Sequence, residues 1–540
     1  MAVSDETSHL LPPSPKQISY STHVQRLRRA SPGTKPVPVV AATAFDVEST
    51  SEQAELGTSV LRSFGQQPAA SLLSLCRQLG RNCAVPFTLL MSAIGAGTLA
   101  VPYTFVLLSP IPATSVLCCV GLAMGYTADT LIDLQVSMAI ESTASGVRQR
   151  LETYQHLAEK AGGKSLARLT GTLTAFAVFG ACVGCVCVVK DMAPTVLAAV
   201  VAGFDQQTLD EQQHAVAIVV WLVVLVLVLP LGCLSDISTL RYSSYFGVAF
   251  SLYLVGAVAY RALVGGGGEA DQVDAFASVP ERETPLFWRI SEVAGIYNFT
   301  FMLHLNVIPL LVQLVAAEGT RRQEVCDEEV DARGSAKAFV AVPILRDARK
   351  TMRMYLALAV SACVLLYAIF GVCAARIYGR QTQGNILLNL SSDRIMAVPR
   401  VAVLLTILLS FPLLFHPLRS LVLEMIAVCT SPSVEKKVDD ERGREPRRVS
   451  QSVQAVVTVV LLGAQILCAL RVPGLQVVFS FVGASILLML CYLFPLVFYI
   501  QLAPWRSGRK ERTRLILLLA LAVVAVALSV AATLQLVVSV

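Results

Sequence analysis

The stretch from Ala84 to Leu108 reads AVPFTLLMSAIGAGTLAVPYTFVLL, and its reading decides the fold. It is apolar and long enough to cross a bilayer, since a helix rising ~1.5 Å per residue covers ~30 Å in about 20 residues. Its middle carries Gly95, Gly97 and Pro102. Glycine accepts almost any backbone angle, and proline has no N–H to donate to the preceding turn. An interruption at mid-depth exposes N–H and C=O groups that lipid cannot satisfy, so it must line a cavity or a solvated site. This span is expected to unwind and to hold a ligand.

The rest of the chain fits that membrane reading. Of 540 residues, 55% are hydrophobic and only 15% charged, outside the range of soluble domains. Long apolar runs predict about eleven spans, all of helical length. After the first they lie at about 113–136, 166–189, 215–231, 242–264, 287–315, 354–375, 401–428, 453–470, 475–500 and 515–538. The net charge of +6 is spread over the linkers rather than gathered in one patch, which excludes a nucleic-acid partner.

Residues 1–82 read as a disordered cytoplasmic tail rich in Ser, Pro, Thr and Gln, without a secretory signal. Within it Glu6, Leu10 and Leu11 fit the acidic dileucine pattern read by endosomal and lysosomal sorting adaptors. Residues 83–501 form a ten-helix core, and 502–540 a cytoplasmic linker with the eleventh helix. Most of the fourteen cysteines fall inside spans, and Cys182, Cys185 and Cys187 read as small packing residues rather than as metal ligands. Basic linkers two-to-three, six-to-seven, eight-to-nine and ten-to-eleven place the N-terminus inside; Arg376, Arg380, Arg394 and Arg400 of linker seven-to-eight are the exception. Asn389-Leu-Ser391 then falls outside as a glycosylation candidate, whereas Asn298-Phe-Thr300 lies in a span.

The sixth span reads FWRISEVAGIYNFTFMLHLNVIPLLVQLV from Phe287 to Val315 and is also interrupted, by Gly295, Asn298, Thr300, His304, Asn306 and Pro309. Two broken spans five apart are the signature of an inverted repeat of five helices plus five, with the site between the breaks. Half-helix N-termini offer N–H donors and a positive dipole end to a carboxylate. Gly95, Ala96, Gly97 and Thr98 would supply those donors. Carbonyls near Tyr297, Asn298, Phe299 and Thr300 would accept from an ammonium group. A free amino acid carries both charges on one carbon and fits such a site.

The motifs point the same way. AIGAGTLAVPY in the first span, LRYSSYFGVAF entering the fifth and FTFMLHLNVIPLLVQL in the sixth come in a fixed order. They are followed by YGRQTQGNILLNL, by LLSFPLLFHPLR and by FVGASILLMLCYLFPLVFYIQL. With this ordered set the chain resembles the amino acid/auxin permease family of the APC superfamily, from about Asn82 onward. The resemblance implies an all-α, LeuT-like fold that carries amino acids by alternating access, as a symporter of sodium or protons. Sodium-coupled relatives resemble one another in an Asn four residues before the first Gly of the break and a hydroxyl on the eighth span. This chain has Met91 and Ser410 there, and a thioether is a poor sodium ligand, which favours protons or no coupling. Backbone carbonyls of Ala93 and Ile94 with Ser410 would make the remaining sodium site.

Among ionisable groups, Asp129 and His304 are candidates for the ion pathway, while Asp133 reads as solvated near the cytoplasmic end. Glu292, near the outer end of the sixth span, would draw in cationic amino acids or stand as a vestibule charge. The missing buried acid in the pocket favours small neutral substrates. No nucleophile elbow, metal-ligand pair or phosphate loop is present, so neither an enzyme nor a cofactor is expected. The competing reading is an amino-acid-sensing receptor on an endolysosomal membrane, which the polar tail keeps open beside a plasma-membrane location.

Overall fold

The computed structural model describes residues 84–144, 153–201, 203–230, 241–264, 285–333, 341–390, 396–430, 450–504 and 508–539. Glu6, Leu10 and Leu11 lie outside the described residues. The protein is all-helical among the described residues, and eleven helices are long and apolar enough to cross a membrane. They are Val85–Leu108, Pro110–Ser142, Tyr154–Val200, Leu209–Val226, Tyr245–Val264, Leu286–Gly319, Val342–Gln381, Ala397–Val428, Gln451–Arg471, Leu475–Leu502 and Arg509–Gln535. Each apolar run of the sequence maps onto one of them.

Polar residues end the helices where the sequence turns polar. Thr208 and Glu211 cap the fourth span reciprocally, each side chain bonding the other's backbone N–H. Lys190 of the third span donates to the carbonyls of Ala469 (3.1 Å) and Val472 (2.7 Å), filling acceptors that the end of the ninth span leaves open. Before the third span proper, part of what reads as a polar linker forms a helix from Tyr154. It breaks at Gly162 and Gly163, where Gly163 takes φ +72°. The sixth span's helix likewise runs past the apolar run to Arg333.

The packing repeats when five is added to each span number. The first span meets the sixth, the second the seventh and the third the eighth. The first span's Ala84–Ala93 helix lies on the fifth span, and the sixth span's Leu286–Thr300 helix lies on the tenth. Third packs on tenth as eighth packs on fifth; second packs on tenth as seventh packs on fifth. The eleventh span has no counterpart in this scheme and packs along the sixth and tenth.

Small residues set how closely these helices approach. A Cβ on Gly483 would lie 1.9 Å from the carbonyl oxygen of Gly295, so backbone of the tenth span rests on backbone of the sixth. A Cβ on Gly184 of the third span would lie 2.3 Å from the Phe479 ring, and one on Gly180 2.5 Å from Val482. Between helices in lipid, such close approach supplies the van der Waals contact that the hydrophobic effect does not.

Candidate functional site

The first break comes where the helix Ala84–Ala93 ends. Gly95 is extended (φ −132°, ψ −154°), a 3-10 turn follows over Ala96–Ala100, and a second helix runs over Val101–Leu108. Pro102 sits in the first turn of that helix, where a missing N–H costs nothing, so it starts the second half rather than kinking the first. Neither Gly95 nor Gly97 has a positive φ; their requirement is space. Gly95 is exposed, and a Cβ built on it touches nothing within 4 Å. At Gly97 the same atom would lie 3.1 Å from Thr300 Oγ1 and 3.2 Å from the Phe299 ring. The two broken spans therefore touch at Gly97, beside an open space at Gly95.

Within the break, Gly95 N–H donates to Ala93 O (3.0 Å) and Thr98 N–H to Gly95 O (3.1 Å). Among the described residues no carbonyl accepts from the N–H groups of Ala96 or Gly97, the first two of the 3-10 turn. Of the four expected donors, two are occupied inside the break and two are open.

The sixth span supplies the opposite polarity. Its first helix runs from Leu286 to Thr300, and the chain reverts to helix at His304, so the interruption is Phe301–Leu303, just beyond the expected carbonyls. The polar side chains that marked Asn298 and Thr300 as a break are satisfied within the helical packing. Thr300 Oγ1 donates to Ile296 O (2.8 Å), and Asn298 Oδ1 accepts from the Tyr492 hydroxyl (2.9 Å). Phe301 N–H donates to Tyr297 O and Met302 N–H to Phe299 O. The carbonyls of Asn298 and Thr300 receive no backbone donor among the described residues. Two free donors on one span thus stand beside two free acceptors on the other.

Aromatic rings close the sides. Phe299 stacks on Phe479 at 4.1 Å between centroids and 13° between planes, and Phe479 lies against Gly184. Tyr297 and Thr104 share a 2.6 Å hydrogen bond that joins the second half of the first span to the first half of the sixth. Tyr367 of the seventh span donates to the freed Ala93 carbonyl at 2.8 Å. Tyr367→Phe removes that bond and is expected to lower stability by about 0.5–1.5 kcal/mol, read as a lower melting temperature in detergent.

The ion-pathway candidates separate. Met91 fills the space between the first, fifth and eighth spans: a Cβ on Gly247 would meet its Cε at 2.3 Å and Thr406 Cγ2 at 3.2 Å. Ala93 O already accepts from Tyr367 and Gly95, and Ser410 is half-buried. His304 is buried, with Nε2 2.8 Å from Thr127 Oγ1 of the second span. The Thr127 hydroxyl also lies within reach of Ala123 O and Met124 O, and the other ring nitrogen of His304, Nδ1, is buried with no partner among the described residues. Asp129 is bound into ion pairs with Arg353 and Arg514, and Asp133, expected to be solvated, is buried among Arg349, Arg353 and Arg514. Glu292 accepts from the Tyr103 hydroxyl and from Gln535, both at 3.3 Å.

Asn389 is a poor glycan acceptor. Its Nδ2 donates to Gln381 O (2.7 Å) and its Oδ1 accepts from Gln383 N–H (2.8 Å), which ties down the nitrogen a sugar would need. The three third-span cysteines are buried free thiols.

The family model described as transmembrane amino acid transporter protein matches residues 82–318 and 345–538. The chain belongs to this family. Its members carry amino acids across membranes and are not enzymes. The vacuolar amino acid transporter 5 of Saccharomyces cerevisiae is 23% identical over 79% of this chain and 90% of its own length. The sodium-coupled neutral amino acid transporter 7 is 24% identical in both Xenopus laevis and Homo sapiens, over 76% of this chain and 77% and 76% of theirs. Among solved structures, a manganese transporter of Eremococcus coleocola, in complex with an aromatic bis-isothiourea substituted compound, aligns over 88% of this chain and 96% of its own. Its TM-score of 0.33 and 11% identity are too low to carry an argument about the site.

Several residues of this family member's site escaped the sequence reading. Tyr367, Phe479 and Thr127 sit in apolar runs with nothing local to mark them. The ion cluster had a signal: Arg349 and Arg353 repeat the one-turn spacing of Asp129 and Asp133.

Proposed function

We propose that this protein carries neutral amino acids across its membrane by alternating access, coupled to protons. One observation carries the reading: the two broken spans touch at Gly97 and Thr300, and there Ala96 and Gly97 N–H on one span and the Asn298 and Thr300 carbonyls on the other have no backbone partner among the described residues. The carboxylate would sit at the donor end and the ammonium group at the acceptor end, each with the favourable helix dipole. The packing repeat on a shift of five supports an inverted repeat, and this arrangement lets one half rock against the other around a fixed site. The neutral side chains at the junction, and the word "neutral" in two relatives' names, support the substrate class.

Proton coupling rests on Met91. It fills the place of the Asn ligand of sodium-coupled relatives, and the neighbouring Ala93 carbonyl is committed to two donors. The yeast relative's vacuolar title supports an internal membrane that holds a proton gradient, with the N-terminus and the basic linkers on the cytoplasmic face. The purified protein in vesicles is expected to take up a labelled neutral amino acid when a proton gradient is imposed. Collapse of that gradient should reduce the rate at least about tenfold, and replacing sodium by choline should leave it unchanged. Uptake that needs sodium overturns the coupling. No uptake of any amino acid under either gradient overturns the transport reading.

A further inference from the structure

The eleventh span lies outside the repeated core, yet its first turns reach the most highly charged cluster among the described residues. Arg514 pairs with Asp133, lies 3.3 Å from Asp129 and donates to Thr130 Oγ1 at 3.2 Å. Its guanidinium stands 5.8 Å from the ring centroids of Tyr126 on the second span and Tyr499 on the tenth. The Tyr499 hydroxyl in turn binds the Glu511 carboxylate and, at 3.2 Å, its carbonyl. From the seventh span Arg349 reaches Asp133 at 2.5 Å, and Arg353 reaches Asp129 at 2.6 Å. Three arginines face two carboxylates, Asp129 and Asp133, and Glu511 joins the cluster through Tyr499; the Asp133 side chain is only 10% exposed and that of Arg514 18%.

Ion pairing alone makes a structural staple, and such a cluster need not add stability. The placement says more. The body of the eleventh span packs along the sixth and tenth spans, and Ser529 donates to the Ala484 carbonyl of the tenth. Its link to the second span runs through the Arg514 side chain. A side-chain bridge between packed helices can be broken and remade without repacking either of them. It also ties the eleventh span, which packs on the sixth and tenth, to charged side chains of the second and seventh.

We propose that Arg514 is a latch. It ties the cytoplasmic-side ends of the second and seventh spans to the tenth, and releasing it opens the site toward that side. The inference rests on the alternating-access reading. Arg514 acts here as a positioning residue, since it touches neither break.

The test compares Arg514→Gln with the wild type in vesicles, using two measurements. Hydrogen exchange is followed by mass spectrometry at residues 88–96 and 303–306, which belong to the breaks and hold no member of the cluster. Arg514→Gln is expected to speed exchange there several-fold and to raise the KM for uptake from the opposite face by a similar factor. Tyr499→Phe removes the Glu511 bond but keeps every charge, so it should give a smaller change of the same sign and serves where Arg514→Gln does not fold. Faster exchange confined to residues 509–514 and 341–353, with KM unchanged, reduces the cluster to a staple and overturns the latch. Because exchange needs no transport, a wild type that takes up nothing sinks the transport reading while the exchange comparison still decides the latch.

Discussion

Gly97→Val should abolish uptake while leaving the protein in the membrane. The structure gives the reason at one atom: even a Cβ here would lie 3.1 Å from Thr300 Oγ1, 3.2 Å from the Phe299 ring and 3.3 Å from Thr300 Cα. Valine adds two further methyl groups and holds χ1 to few rotamers, so neither can be turned away from both neighbours. The contact between the broken spans must widen, and the free N–H of Gly97 moves with it. Preorganised donors lose their value when displaced by about an ångström. Insertion depends on the apolar run, which valine keeps and makes more apolar, so surface or vesicle abundance should match the wild type. Gly97→Ala asks the neighbours for a few tenths of an ångström and should retain part of the activity. Labelled uptake normalised to protein in the vesicle is the measurement, and full activity in the valine variant would remove the first span from the site. Gly95→Ala is the contrast: open space surrounds that position, and its backbone is extended, so a methyl is tolerated sterically.

The second large effect concerns folding rather than transport. Gly483→Ala should leave little correctly folded protein, because its Cβ would stand 1.9 Å from the carbonyl oxygen of Gly295 and 3.0 Å from the Phe299 nitrogen. Both are backbone atoms that no rotamer change can move. The tenth and sixth spans would have to part by about an ångström along a tightly packed seam, and overpacking of this kind costs about 1–3 kcal/mol or more. Separation would also pull Phe479 off Phe299. Gly463→Ala is the matched control, since its nearest neighbour, Trp221, would lie at an ordinary 3.9 Å. Size-exclusion profiles of detergent extracts should show aggregate for the first variant and a normal peak for the second. A normal peak for Gly483→Ala would mean that this seam yields.

Much of this was legible in the chain before any coordinates. Bilayer thickness fixes how long an apolar run must be, so all eleven spans could be read from length and composition. Gly95 and Gly97 marked the first break; in the sixth span the polar and breaking residues marked the right span, but Gly295 and Pro309 lie inside helices and the interruption falls between them at Phe301–Leu303. The exact carbonyls were not legible. Asn298 and Thr300 look like a break in a list of residues, yet their side chains are bonded and the chain unwinds at Phe301–Leu303. Which donors stay free depends on how Gly95 and Thr98 turn back on the chain, and sequence spacing does not encode that. Asp133 read as a solvated charge because its partners, Arg349 and Arg514, lie more than 200 residues away.

The bond from Tyr367 to the Ala93 carbonyl has a consequence for how this protein is made. The first span leaves the ribosome with a gap in its backbone bonding. The second donor to its Ala93 carbonyl, Tyr367 on the seventh span, is synthesised about 270 residues later, on the order of 14–54 s at ~5–20 residues per second. Thr300, which meets Gly97, also follows only after the intervening spans. Through that interval the nascent helix cannot be released into lipid in its mature shape without stranding polar groups in hydrocarbon. Biogenesis therefore requires a protected waiting place, at the insertion machinery or against an earlier-folding neighbour, until the second half of the chain arrives.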